Sequence, residues 1–118
     1  MSSKTIRVLV VAGVLSLLPH AALAQSARPI GRMADDAQKT LNIQRCKGAF
    51  YVNEQAAQKA FREILSLMLD RHGEAHTDTA MDAALIRLVD DAKAKGMDEW
   101  CQHLGMWMLI NFPEVVGK

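Results

Sequence analysis

The apolar residues of this chain recur at threes and fours and nowhere alternate, which restricts the fold to packed helices. The cleanest stripe is Met81, Ala84, Leu85, Leu88, Val89 and Ala92, one face of a 3.6-residue period. Ala57, Phe61, Ile64, Leu65 and Met68 form another, and Trp100, Cys101, Leu104, Trp107 and Met108 a further one. A first helix is expected to run from Met33 through Ala37, Leu41 and Ile43 towards Cys46, Phe50 and Tyr51, with Gly48 weakening its end.

The residues between these stripes supply the punctuation. Asn53 suits the N-cap of a second helix, where its side chain accepts from an otherwise orphaned backbone N–H. Gly73 closes that helix just after Arg71 and His72, cations that complement a helix C-terminus. Residues 74–78 read as a loop, with Thr77 or Asp78 capping a third helix that Gly96 ends. Asp98 caps a fourth, which stops before Pro113. Short links favour antiparallel neighbours, so the expected fold is an all-α bundle of about four helices.

The N-terminal region has a different character. Lys4 and Arg7 precede an apolar run from Val8 to Leu18, Pro19 and His20 break it, and Ala22-Leu23-Ala24 matches a small-x-small cleavage site before Gln25. The run is too short to span a hydrocarbon core of about 30 Å as a helix. Residues 1–24 are therefore expected to be a cleaved signal peptide and 25–32 a flexible lead-in, leaving 33–118 as one helical domain. The expected destination is the periplasm or the exterior, with no stable membrane insertion after cleavage.

Cleavage removes two basic residues and no acidic ones from a chain of 14 Lys plus Arg and 13 Asp plus Glu, which leaves a formal charge of −1. Such a balance gives no electrostatic attraction to nucleic acid or anionic lipid. With one Tyr and no interleaving of aromatic and basic residues, single strands find no stacking platform either.

Cys46 and Cys101 are the only cysteines, and both lie in the exported part. An even pair in a small domain in an oxidising compartment is read as a structural disulfide, here tying the first helix to the fourth. Closing a loop of that length contributes about 4 kcal/mol in the chain-entropy model, against a total stability that starts near 5 kcal/mol. A catalytic dithiol would be a CxxC, and none is present.

Three histidines are weighed as metal ligands. His72 and His76 stand four apart among carboxylates, a spacing that on an unbroken helix would present both imidazoles to Zn(II) or Cu(II). The arrangement is not HExxH, and Gly73 interrupts it. His103 opens the stretch His103-Leu104-Gly105-Met106-Trp107-Met108, where imidazole and thioethers could hold Cu(I). Methionines two apart on a helix diverge, however, which favours packing. No cofactor is expected, and a small copper- or zinc-handling protein is the alternative reading.

Met106 to Ile110 is apolar on every side, and Phe112 follows after Asn111. A helix without a polar face is either central to the core or covered by a partner. Trp107, Met108, Ile110 and Phe112 are accordingly the expected contacts for a protein partner or for self-association. There is no GxSxG, no phosphate-cradling glycine loop and no pairable nucleophile constellation, so the chain reads as a non-enzyme.

In general plan the chain is similar to small exported helical proteins with one disulfide, among them the HdeA-type acid-stress chaperones of the periplasm. The likeness consists of the signal ending Ala22-Leu23-Ala24, the short mature chain, and Cys46 and Cys101 near opposite ends of a helical core. No family-specific motif accompanies it, and the sequence assigns the chain to no family. The expected function is non-catalytic binding of a protein partner, as a stress chaperone or an immunity or inhibitor protein.

Overall fold

A computed structural model describes residues 28–117. Helix α1 spans Ile30–Asn42 and tightens into a 3-10 turn over Ile43–Cys46. Helix α2, Glu54–Lys95, is broken at Gly73 into an N-arm (54–72) and a C-arm (74–95). Helix α3 spans Met97–Asn111, and the single turn α4 spans Pro113–Val116. Counting the two arms separately, four substantial helices make an all-α bundle with no strand among the described residues. The signal-peptide assignment, and residues 25–27 of the lead-in, lie outside the described residues.

Both interior breaks are made by glycine at positive φ. Gly73 has φ 79° and ψ 170°, and Gly96 has φ 85° and ψ 154°, a combination that a Cβ would strain. At Gly96 one residue serves both helices. Its N–H donates to the Ala92 carbonyl and its carbonyl accepts from Trp100 N–H, each at 2.9 Å. This economy corrects the loop expected over 74–78: the C-arm resumes directly after Gly73, and the extended ψ of the glycine replaces a separate capping residue. Asn53 caps the N-arm as expected, accepting from Ala56 N–H at 3.1 Å.

The first helix differs from expectation at both ends. It starts at Ile30, inside the expected lead-in, because Pro29 presets the chain direction and its carbonyl accepts from Met33 N–H at 3.0 Å. It ends at Asn42, whose side-chain amide donates to the Gln38 carbonyl at 2.9 Å, and the chain tightens there into the 3-10 turn. Phe50 and Tyr51 therefore follow the helix rather than ride on it, and Leu41, expected in the buried stripe, is exposed.

The core sits between α1, both arms of α2, and α3. Met33, Ile43, Ile64, Met68, Met108 and Val115 are among its fully buried side chains, each contributing about 1.5–3 kcal/mol by leaving water. Polar side chains join them: Asp36, Gln38, Thr40 and Asn42 of α1 are all buried. Each has a partner. Arg45 Nε donates to Asn42 Oδ1 at 3.0 Å, Asn42 donates to Gln38 Oε1 at 3.0 Å, and Gln38 Nε2 donates to the Met81 carbonyl at 3.1 Å. Thr40 donates to the Ala37 carbonyl at 2.7 Å, and Asp36 pairs with Arg28. Burial without partners would cost more than such a small domain can spare, so this relay is what allows α1 to be encased.

The disulfide Cys46–Cys101 is present, with 5.5 Å between its Cα atoms. It fastens the 3-10 turn to the first half of α3.

Candidate functional site

Three constraints set the rotation of α3. Cys101 must face Cys46. Gly105 lies against Phe50, so closely that a Cβ there would stand 2.9 Å from the ring. Beyond the helix end, Phe112 N–H donates to the Met108 carbonyl, and the Val115 carbonyl accepts from Asn53 N–H, each at 2.7 Å. The C-terminal turn is thereby held across the 51–53 linker. With this phase, Trp100, Cys101, Leu104 and Met108 point inward.

The four expected contact residues separate accordingly. Met108 is 0% exposed and Phe112 4%, so both belong to the core and neither is a surface anchor; this corrects the sequence expectation. Their positions follow from the same phase, since Met108 lies seven residues, about two turns, beyond Cys101. Trp107 is half-buried: its ring lies 5.8 Å from that of Phe112, and Lys39 Nζ stands 4.4 Å over it. Ile110 alone of the four is freely exposed, at 78%, and it is joined by Met106 at 61% and Leu109 at 58%. These three, spaced three and four apart, make an apolar outer face, of which the expected contacts included Ile110 but not Met106 or Leu109. The signal was available in Cys101, whose forced inward direction indicates which side of the helix must face out.

A groove of about 400 Å³ opens on another side of α3, between that helix, α1 and the C-arm of α2. Both tryptophans of the chain line it, with Leu88 and Leu104 between them. Ion pairs mark its edges: Arg87 with Asp35 at 2.7 Å, and Lys95 with Asp91 at 2.9 Å.

The histidines do not converge. Gly73 breaks the helix between His72 and His76, and His76 Nδ1 lies 3.2 Å from the His72 carbonyl oxygen. His103 stands in the groove wall, 3.9 Å from Glu99. Among the described residues no three His, Cys, Asp or Glu side chains gather where they could hold a metal ion. No described helix is long and apolar enough to cross a membrane.

Comparison with protein families, characterised proteins and solved structures finds no match for this chain.

Proposed function

We propose that this chain is an exported helical protein that acts without catalysis, by binding a protein partner through the outer face of α3, in the manner of a stress chaperone or an immunity or inhibitor protein. The observation that carries this reading is the bare apolar face of Met106, Leu109 and Ile110. It lies on a helix held in place by a disulfide, by Phe50 against Gly105, and by the C-terminal turn. A rigid element pays no backbone ordering entropy on docking, and a contiguous exposed apolar face gains by leaving water. Export is supported by the leader pattern and by a cysteine pair joined as a disulfide, which suits an oxidising compartment.

The test compares affinity capture from native periplasm by the unsubstituted chain and by Met106→Lys/Ile110→Lys. The expected result is a stoichiometric protein that the unsubstituted chain retains and the double variant loses, while circular dichroism of the two coincides. Equal capture by both, or no stoichiometric partner for either, overturns the reading.

A further inference from the structure

We infer that the groove between α1, the C-arm of α2 and α3 is a binding site for a small amphipathic carboxylate, its charged end at Lys39 and its apolar body along Trp107, Trp100, Leu104 and Leu88. The volume of about 400 Å³ lies within the range of small-molecule sites. Its lining has the composition such sites need, an apolar bed with a few placed polar groups. Trp100 and Leu104 are buried and form the floor, while Leu88 and Trp107 are half-buried and form the walls.

The sign of the ligand follows from charge accounting. Each carboxylate in the lining has a cation of its own: Asp35 has Arg87, and Asp91 has Lys95. Lys39 has no carboxylate within ion-pair distance among the described residues; its ammonium rests on the face of Trp107. A lysine held over an indole keeps N–H donors for an acceptor in the groove. The same contact occupies the aromatic face that a ligand cation would seek. The uncommitted charge is therefore positive, and it stands at the edge of an apolar bed. An alkyl or aryl chain ending in a carboxylate matches both features. The site is separate from the outer face of α3, and the inference does not depend on the partner-binding reading.

The two tryptophans that line the groove are the only two in the chain, so intrinsic fluorescence reports its occupancy. The experiment titrates the purified chain, disulfide intact, with decanoate below its micelle concentration, and in parallel with decyltrimethylammonium. Decanoate is expected to give a saturable emission change and the cationic amphiphile none over the same range. Lys39→Gln is expected to weaken decanoate binding at least about tenfold, the loss of one charge-assisted contact, and Lys39→Arg to retain it. A flat response to decanoate, equal saturation by the cation, or an unchanged affinity in Lys39→Gln would each overturn the proposal. The comparison of the two amphiphiles on the unsubstituted chain stands even if the lysine variants fold poorly.

Discussion

Helix α1 is the more polar of the two helices that the disulfide brings together, yet it is the one the fold encases; α3 is the more apolar, yet it leaves four large side chains exposed, Met97 at its start and Met106, Leu109 and Ile110 towards its end. Burial in this domain thus follows topology rather than composition. The polar groups of α1 enter the core because each finds a partner, in a relay that runs from Arg45 through Asn42 and Gln38 to the Met81 carbonyl. The apolar surplus of α3 has no counterpart inside. Its inward face is already filled by Leu104 and Met108, and Met106, Leu109 and Ile110 keep most of their surface in water.

The hardest test of that contrast is a charge on the inward face of α3. Met108→Lys places an ammonium where the native side chain is fully buried. The expected loss is about 4 kcal/mol or more, comparable to the whole stability of a small domain, so the variant should lose its cooperative urea transition. A folded Met108→Lys would mean that α3 is rotated relative to the phase given above.

Next in size is the link between the two helices. Cys46→Ser should cost about 2–5 kcal/mol in urea melts, because the bridge spans 55 positions and both sulfur-bearing residues are buried. A loss below about 1 kcal/mol would mean that packing around the 3-10 turn and α3 holds them together without the bridge.

The sequence discloses these two regions unequally. Gly96 and Pro113 mark the bounds of α3, as Asn53 and Gly73 mark those of the arms of α2, through backbone conformation, which is a local property. The encasement of α1 is not local. Gln38 finds its acceptor 43 positions away, at Met81, and a periodicity count places any such glutamine on the solvent side. The expected loop at 74–78 failed for a related reason: one glycine with positive φ does the work of both cap and turn. For the candidate site, composition marks α3 as apolar but does not give its phase: Met108 and Phe112 are buried, whereas Met106 and Leu109 are exposed. The groove left no sequence signature at all, because its walls come from three helices.

A smaller effect separates satisfied from unsatisfied polar burial. Thr77 is fully buried, and its hydroxyl has no hydrogen-bond partner among the described residues, unlike every buried polar side chain of α1. Thr77→Val removes the orphan hydroxyl at nearly constant volume and should raise stability by about 1 kcal/mol. Gln38→Leu, which takes the side-chain donor from the Met81 carbonyl and the acceptor Oε1 from the buried Asn42 amide, should lower it by about 1–3 kcal/mol in the same urea series. Opposite signs are the expected result. If both variants stabilise the chain, the relay is not what permits α1 to be buried.

The smallest expected change in stability belongs to Ile110→Lys, and it completes the comparison because it makes the same chemical replacement as Met108→Lys two residues further along the helix. Ile110 is 78% exposed, so the lysine can keep its ammonium in water and its stem along the helix. Surface substitutions of this kind stay within about 0.5 kcal/mol, and lysine is the better helix former of the two. The urea midpoint should therefore match that of the unsubstituted chain, and circular dichroism should show the same helix content. If the outer face is a docking surface, partner retention falls while stability does not, a separation that no core substitution produces. If stability falls with it by 2 kcal/mol or more, Ile110 is packed in the folded chain, and the outer face of α3 is a part of the core.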